Sequence, residues 1–304
     1  MGIRFEEVLG DVLRHIPGGK VATCGAVARA LGDVRAARAV ARWIIDHPDI
    51  AGATKVVRAD GRQVLVKQGD RSGRRDAEIL DALPPVGFLE SLRQEQRRAA
   101  MQVSEADAFE QVRTVGAVDV AYEGDTAFAV AVRCNAETLE PEDIADAEIP
   151  VDFPYIPTYL AFREFAPVES AVRRLRRPPD VLFIDGHGRL HPSLGGFACY
   201  AGVRLSLPTV GIAKHPLVGR PDRSRPPVRG AIPLALDGVV RGYAWTPPGS
   251  SRPIYVSVGH RITLESALRL VQRTTKRHIP EPLRIADRIS KERKREKWEK
   301  GGRQ

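Results

Sequence analysis

Helical spacing dominates the apolar positions of the first 85 residues. A first helix is indicated by apolar residues three and four apart, namely Phe5, Val8, Leu9, Val12 and Leu13. Helices over 25–31 and 36–45 follow, joined by a tight turn at Gly32-Asp33. Two β-like pieces, over 55–57 and 63–66, flank the hairpin signal Asp60-Gly61. Together these elements predict a small winged helix-turn-helix domain.

Beyond a Pro- and Gly-rich break at 83–87, apolar strands alternate with helices. Helices are predicted over 88–101, 160–175 and 263–275, and strands over 115–122, 127–132, 181–184 and 209–213. Strands interleaved with helices indicate an α/β domain with a mixed sheet. We therefore predict a winged-helix domain over 1–86, an α/β domain over 87–289 and a basic tail over 290–304.

The composition, with 43% apolar and 28% charged residues, is that of a globular protein. No apolar run is long enough to span a membrane, the N-terminus lacks the apolar stretch of a signal peptide, and three scattered cysteines make no disulfide framework. We expect a cytoplasmic protein. Of the net charge of +9, residues 1–98 carry +4, residues 99–283 none and residues 284–304 +5. This distribution favours a polyanionic partner for the first domain and the tail.

Three carboxylates and one histidine lie in surroundings that do not explain them structurally. Asp119 interrupts an apolar strand and Asp185 ends another beside glycines. Glu164 lies in an apolar first helical turn, and His260 shortly precedes a predicted helix. If the carboxylates converge, oxygen ligands without zinc-type spacing favour Mg²⁺ or Mn²⁺, and two such ions about 4 Å apart would clamp a phosphodiester. Singly, each has an ordinary alternative: a turn cap, an ion pair with a neighbour, or a satisfied buried group.

Six ordered motifs between residues 88 and 289 resemble those of endonuclease V, a nuclease of deaminated bases. They are GAVDVAY at 116–122, FPYIP with LAFRE at 153–164, PDVLFIDGHG at 179–188, LPTVGIAK at 207–214, VSVGHR at 256–261 and IPEPLRIAD at 279–287. The resemblance implies a ribonuclease-H-like mixed sheet and cleavage of the second phosphodiester 3′ to deoxyinosine with Mg²⁺, which Mn²⁺ replaces. The substrate it implies is duplex or single-stranded DNA, and we expect a monomer.

The same resemblance implies roles for individual residues. Asp119, Glu164 and Asp185 would be metal ligands, His260 would position the attacking water or a second metal, and Lys214 would stabilise charge at the scissile phosphate. Residues with substrate roles would be the base-wedging Tyr155, the orienting His191, and the pocket residues Leu160, Gly186 and Gly188. These positions also have ordinary alternatives. Lys214 would be a solvated lysine, His191 a packed turn histidine and Tyr155 a core aromatic. The pocket residues would reflect simple turn chemistry.

Some positions depart from the family pattern. Thr158-Tyr159 replaces a more usual Gly-Leu after the FPYIP motif, and Cys199-Tyr200 replaces Ser-His. Val258 stands for a proline and His215 for a serine. None of these departures removes an expected metal ligand, but they bear on the pocket and on substrate breadth.

Parts of the first domain resemble the DNA-binding domain of alkylguanine-DNA alkyltransferases and alkyltransferase-like proteins: IPGGKVATCG at 16–25, AARAV at 36–40 and VVRADG at 56–61. Where that family has Pro-Cys-His-Arg-Val, this chain has Gly52-Ala53-Thr54-Lys55-Val56, so alkyl transfer is excluded at this site. Cys24 stands at the usual place of a tyrosine. Arg38 matches the family's intercalating arginine, with a phosphate contact as the alternative. Arg35 and Lys20 are candidate phosphate contacts or simply exposed basic residues.

The leading hypothesis is a metal-dependent DNA repair endonuclease with a fused module that docks on DNA or recognises alkylated bases. A non-enzymatic sensor of alkylation damage is one alternative, which the filled catalytic positions disfavour. An inosine-specific ribonuclease is another, and no residue reads a 2′-hydroxyl clearly enough to decide.

Overall fold

The computed structural model describes residues 4–65 and 77–301, with side chains up to residue 297. Val66 of the predicted hairpin and the last three residues of the predicted tail lie outside the described residues. The chain divides into two compact units, Met1–Glu95 with Asp152–Arg163, and Gln96–Val151 with Glu164–Gln304. The boundary at residue 86 stays a prediction, and the first unit contains a segment from the middle of the chain that the sequence did not assign to it.

The first unit is built on short helices and a small parallel sheet. Its elements are α1 (Phe5–Arg14), β1 (Val21–Thr23), α2 (Cys24–Leu31), α3 (Ala37–Asp46), β2 (Val56–Val57), β3 (Ile79–Leu80) and the start of α4 (Phe88–Met101). The Thr23 hydroxyl accepts a hydrogen bond from the Ala26 amide and begins α2, while Gly32 ends that helix at a φ of 108°. The sheet has the order β2-β1-β3. The three predicted helices are confirmed, whereas β3 was not predicted.

The predicted wing is present in the described residues. Val57 forms an antiparallel bridge with Gln63 around the turn at Asp60-Gly61. Gly61 adopts a φ of 79°, a left-handed conformation that favours glycine at this turn. The turn therefore forms where the Asp-Gly signal predicted it, whereas of the described residues of the predicted strand 63–66 only Gln63 makes a β-bridge.

The second unit is centred on a nine-stranded sheet. Its strands are β4 (Thr114–Glu123), β5 (Thr126–Asn135), β6 (Pro141–Pro150), β7 (Val181–Asp185), β8 (Thr209–Ala213), β9 (Arg220–Pro221), β10 (Ile232–Leu236), β11 (Val239–Trp245) and β12 (Ile254–His260). They lie in the order β6-β5-β4-β7-β8-β12-β11-β10-β9. Neighbours β4, β7 and β8 are parallel and the other pairs are antiparallel. The prediction of a mixed α/β sheet is confirmed.

Among the described residues, five helices belong wholly or partly to this unit, and α6, α7 and α8 among them contact the sheet. They are the remainder of α4, α5 (Leu160–Arg173), α6 (Phe197–Leu205), α7 (Leu264–Thr274) and α8 (Glu281–Gly301). Apolar residues of α7 and α8 pack with alternate residues of the central strands in one core. Helix α6 and the strands β6, β9, β10, β11 and β12 were not predicted.

The predicted separate tail is wrong in one respect, because its described residues continue α8 along the sheet. Lys294 Nζ lies 3.1 Å from a carboxylate oxygen of Glu123 on β4, and Lys297 pairs with Glu148 on β6. The basic side chains therefore have acidic partners on the strands, so that α8 packs as part of the second unit. Over the described residues, no helix combines the length and the apolar character that crossing a lipid bilayer demands.

Candidate active site

Strand alternation brings three charged side chains to one end of one sheet face. Asp119 continues the buried series Val115 and Ala117 on β4, and Asp185 continues Val181 and Phe183 on β7. Val118 pairs with Ile184 in parallel register, so that the two aspartates are level with each other.

The neighbouring strand β8 adds a cation at the same end. Asp185 pairs with Ile212, and Lys214 follows two residues later on the same side of the chain. Asp119, Asp185 and Lys214, all predicted site residues, thus lie together where the parallel strands end. Ligand-binding sites in α/β sheets usually lie at this edge.

Hydrogen bonds and charge hold these side chains together. Lys214 Nζ donates to Asp185 Oδ2 at 2.7 Å. Ser290 Oγ of α8 donates to Asp119 Oδ2 at 2.5 Å. Burial raises the pKa of Asp119, the charges of Asp185 and Asp287 raise it further, and the Ser290 hydrogen bond and Lys214 lower it. Burial would lower the pKa of Lys214, but the surrounding aspartates outweigh it and raise that pKa.

Asp287 on α8 is a third carboxylate at this end of the sheet, and it is not among the predicted site residues. Its charge acts on both Asp119 and Lys214. It also accepts a hydrogen bond from Lys291, one turn further along the helix, at 2.7 Å. The available signal was helical spacing, since Asp287 lies four residues after the buried Leu283 and three before the buried Ser290.

Glu164 is held at the same end of β4 as Asp119. It accepts a hydrogen bond from the Tyr122 hydroxyl at 3.2 Å, and Tyr122 lies three residues beyond Asp119. Within residues 4–65 and 77–301, no three His, Cys, Asp or Glu side chains are already converged into a metal-binding group. The acidic residues therefore share one end of the sheet without forming a preassembled cage.

His260 is not part of this group, which corrects the sequence expectation. Strand β12 runs antiparallel to β8, and His260 pairs with Thr209, three residues before the level of Asp185. The ring therefore lies about 10 Å away along the strand direction. It is buried, and its Nδ1 accepts a hydrogen bond from the Ser104 amide at 3.2 Å. Burial lowers its pKa, which keeps it in the neutral form that this bond requires.

The two glycines expected to offer amides to a base are already bonded within the protein. The Gly186 amide donates to the Ile212 carbonyl at 3.0 Å, and the Gly188 amide donates to the Ser257 hydroxyl at 2.9 Å. A Cβ at Gly188 would lie 1.9 Å from the Val258 carbonyl oxygen. Close packing explains the glycine at 188, and the role of both glycines in a base pocket stays a prediction.

His191 also has a structural environment. Its side chain is buried, and its Nδ1 accepts from the Ser193 amide at 3.2 Å and lies 2.9 Å from the Ser193 hydroxyl. The packed turn histidine, given above as an alternative, describes this position better than a substrate-orienting role.

A cavity of about 1040 Å³ opens beside Lys214 in the second unit. Its lining is strongly cationic, with Glu281 as an acidic member; the basic residues are Lys214, Arg252, Lys276, Arg277 and Arg284. Such a concentration of positive charge suits an anionic polymer better than a neutral ligand.

In the first unit, the candidate DNA-contacting residues differ in their environment. Arg38 is exposed on α3. Arg35 instead forms a two-pronged ion pair with the buried Asp33, through contacts of 3.1 and 2.7 Å to its Oδ2, so that its guanidinium is committed within the protein. Lys20 pairs with Glu78 at 2.8 Å on the surface. Arg38 is therefore the strongest of the three candidates, and the DNA contacts of all three stay predictions.

Ala53 and Cys24 are both buried in the first unit. Ala53 lies in a short 3₁₀ turn, Ala53–Lys55, at the position where the alkyltransferases carry their cysteine. Burial raises the pKa of the Cys24 thiol, although the charge of Arg58 opposes the shift. A buried thiol with a raised pKa is a poor nucleophile.

The two remaining predicted substrate residues also belong to the first unit. The Tyr155 ring is 64% exposed, unlike a core aromatic. Leu160 is half-buried and is the first residue of α5, the helix that carries Glu164 one turn later. The pocket role of Leu160 stays a prediction.

Comparison with known proteins accounts for both units. The family model for Endonuclease V matches residues 97–288. An Endonuclease V from Thermofilum pendens is 44% identical over 207 residues, which cover 67% of this chain and 88% of that protein. The chain belongs to the Endonuclease V family. Its second unit is therefore a nuclease domain.

Solved structures agree with this assignment. The Endonuclease V from Streptomyces avermitilis is 36% identical with a TM-score of 0.63, covering 68% of this chain and 93% of that one. The catalytic domain of human Endonuclease V is 34% identical with a TM-score of 0.64, covering 71% and 99%. A Ciona intestinalis Endonuclease V, solved with a 24mer DNA containing an inosine followed by a ribo-adenosine, is 24% identical with a TM-score of 0.62 and has the same fold, covering 68% and 98%.

A second family model, described as the DNA binding domain of 6-O-methylguanine DNA methyltransferase, matches residues 4–79. Both resemblances inferred from the sequence motifs are confirmed. The chain thus joins a domain of the Endonuclease V family to a preceding segment that is similar to the alkyltransferase DNA-binding domain.

Proposed function

We propose that this Endonuclease V hydrolyses the second phosphodiester bond on the 3′ side of deoxyinosine in DNA, using Mg²⁺. The observation that carries the proposal is the group of Asp119, Asp185, Asp287 and Lys214 at one end of the central strands. Glu164, held at the same end of β4, completes the acidic set.

The donor set suits a hard divalent cation. All the candidate ligands are carboxylates, and Asp119 is partly buried beside two like charges that disfavour its ionised form. Asp119, Asp185, Asp287 and Glu164 would hold the ion, with Mn²⁺ able to replace Mg²⁺. When bound, the metal polarises a phosphoryl oxygen and lowers the pKa of water.

The chain's own residues supply positioning and charge. Ser290 fixes one oxygen of Asp119 and leaves the other free to face a ligand. Lys214 is half exposed, so its ammonium can turn from Asp185 towards a phosphate and stabilise the negative charge of the transition state. The cationic cavity beside Lys214 offers further contacts to the phosphate backbone.

An inosine substrate is supported by the relative from Ciona intestinalis that was solved with inosine-containing DNA. In this chain the exposed Tyr155 ring is available to insert between bases. Turning a base out of a duplex costs a few kcal/mol, and a poorly paired base such as inosine costs least.

The first unit would dock the enzyme on DNA without alkyl transfer. Arg38 is exposed on α3, which supports docking. Ala53 cannot take the place of a nucleophilic cysteine, and the buried Cys24 is unreactive.

A panel of labelled substrates tests the proposal. Purified protein with Mg²⁺ is incubated with duplexes that carry deoxyinosine, O6-alkylguanine or neither, and with an RNA strand carrying inosine. We expect nicking of the deoxyinosine duplex and no transfer of the alkyl group. Binding of the alkylguanine duplex without any nicking would favour the damage sensor instead, and preferential cleavage of the RNA would favour the ribonuclease.

A further inference from the structure

The segment that carries Tyr155 is part of the core of the first unit, whose N-terminal part, residues 1–95, we call the N-terminal module. We call residues 152–159 the wedge loop. Phe153 and Ile156, on either side of the exposed Tyr155, are 2% and 0% exposed. The Phe153 ring lies 5.8 Å from Phe5 and 6.4 Å from Phe88, centroid to centroid. The Phe5 amide also donates to the Asp152 carbonyl at 3.1 Å, so the loop is anchored at its beginning by α1.

A buried polar cluster anchors the other end of the wedge loop. The Tyr159 hydroxyl, on a fully buried side chain, donates to Asp33 Oδ2 at 2.9 Å. Arg93 Nη2 of α4 donates to Asp33 at 2.5 Å and to the Tyr159 oxygen at 2.7 Å. Arg35 adds its two-pronged ion pair to the same carboxylate. Every described member of this network belongs to the first unit.

The network accounts for Tyr159, which stands where the family usually has a leucine. A leucine has no hydroxyl with which to reach Asp33, whereas Tyr159 both fills the core and makes that bond. Thr158 adopts a φ of 73°, a left-handed conformation that is unfavourable for a β-branched residue. Such a conformation persists only where surrounding contacts determine it. The buried residues at 156 and 159 supply those contacts.

We propose that the N-terminal module is the scaffold of the wedge loop and holds Tyr155 in the position from which it enters a duplex. The inference rests on the proposed function, since it concerns how the lesion is exposed. Asp33 and Tyr159 are positioning residues that act through Tyr155. The module therefore contributes to lesion exposure, in addition to any affinity for DNA.

Comparing duplex with single-stranded substrate separates this role from a general loss of structure. Opening a duplex needs the wedge, whereas a deoxyinosine in a single strand has no partner to be separated from. For the full-length wild-type, Tyr159→Phe, Asp33→Asn and Tyr155→Ala proteins, kcat/KM is measured on both substrates. Tyr243→Phe, which removes a hydroxyl from a buried ring of the second unit, is the matched control.

We expect Tyr159→Phe and Asp33→Asn to lower the ratio of duplex to single-strand cleavage about tenfold, the effect of losing one hydrogen bond to a charged group. Tyr155→Ala lowers the same ratio, and adding Tyr159→Phe to it produces no further fall, because both changes act on one element. The control keeps the wild-type ratio. Equal losses on both substrates, or losses that multiply in the double variant, would overturn the proposal.

A binding experiment keeps the proposal testable if the wild type does not nick inosine DNA. A 2-aminopurine next to the deoxyinosine brightens when the stack is opened. With wild-type protein we expect this increase on the duplex, and with Tyr159→Phe a smaller one at saturation. Equal brightening by both proteins, or none by either, would contradict the scaffold role, whereas absent nicking with the expected fluorescence would refute only the proposed reaction.

Discussion

The candidate active site balances three aspartates against one lysine, and this balance is set by individual positions on strands and on α8. Asp119 and Asp185 end alternating apolar series, so their side chains share the face that α8 covers. Lys214 supplies the positive charge that Asp185 contacts directly. Asp287, at the edge of the covering helix, adds the charge that makes a cation favourable.

Single substitutions of Asp287 and of His260 test which of the two residues belongs to the site. Asp287→Asn removes a charge that faces Asp119 and Lys214, and we expect turnover on deoxyinosine DNA to fall about 100-fold. His260→Gln keeps an acceptor for the Ser104 amide, and we expect less than about a threefold loss, below 1 kcal/mol in barrier. Single-turnover rates in excess Mg²⁺ measure both. A larger loss for His260→Gln than for Asp287→Asn would place His260, and not Asp287, in the catalytic group.

Residue chemistry was predictable where it follows strand periodicity. Asp119 was found because it interrupts an apolar strand and Asp185 because it ends one, whereas Lys214 was found through the motif resemblance. His260 also ends a strand, but β12 runs in the opposite direction, and direction cannot be read from one strand's sequence. Asp287 was not predicted, because a single acidic residue on a highly charged helix resembles an ordinary solvent-exposed side chain.

Asp33 predicts a dependence of stability on pH. Burial would raise its pKa, but hydrogen bonds from Arg35 and Tyr159 outweigh burial and lower it to about 2, from 3.8. Because the pKa of Asp33 is lower in the folded than in the unfolded protein, its ionisation stabilises the fold at pH values above the unfolded-state pKa. This stabilisation is lost as the pH falls towards 2. The destabilisation caused by Asp33→Asn should thus be about 1 kcal/mol smaller at pH 3 than at pH 6. Urea unfolding of both proteins at both pH values measures this difference. A destabilisation by Asp33→Asn that is the same at pH 3 and pH 6 would contradict the lowered pKa of Asp33.

At the scale of elements, helix α8 joins the site to the sheet. Ser290 contacts Asp119, and the basic residues after it pair with acidic residues on β4 and β6. The charge of this segment is therefore used partly within the fold. It is not available in full for DNA.

Reversing one charge on α8 tests this packing. Lys294→Glu places a carboxylate opposite Glu123, and we expect the free energy of unfolding to fall by about 1 kcal/mol at low salt and by less in 1 M salt. Arg295→Glu makes the same charge change at the adjacent, exposed position and should cost less than about 0.5 kcal/mol. Equal effects of the two variants in urea unfolding would argue against the pairing.

Element prediction succeeded for strongly apolar segments and failed for polar ones. The bounds of α4 and β8 match the predicted ranges, because their patterns are regular and end at clear breaks. Strand β6 begins and ends with proline and carries four acidic residues, so its sequence resembles a loop. It lies at the edge of the sheet, where such residues are tolerated and discourage further pairing.

At the scale of the whole molecule, a nuclease domain of one family is fused to a DNA-binding domain of another. The sequence identified both families, because their motifs are local in the chain. It did not reveal that residues 152–163 belong to the first unit, since contacts between distant segments leave no local pattern. The wedge loop's place in the core was accordingly missed.

Docking by the module predicts a sequence-independent loss of affinity. Arg38→Ala should weaken binding of the full-length protein about tenfold, on duplexes with and without deoxyinosine alike, and should make the affinity less dependent on salt. Arg14→Ala removes the same charge from α1 and is the control, with little effect expected. Fluorescence anisotropy over a salt series measures this, and an unchanged salt dependence for Arg38→Ala would place the phosphate contacts elsewhere.

Single-turnover cleavage of an end-labelled duplex with one deoxyinosine tests the central claim most directly. With Mg²⁺, the wild-type protein should cut only the inosine strand, at the second phosphodiester on its 3′ side. Asp119→Ala should cut at least about 100-fold more slowly, and a chelator should stop the reaction. No cleavage by the wild-type protein, or equal cleavage by Asp119→Ala, would contradict the account.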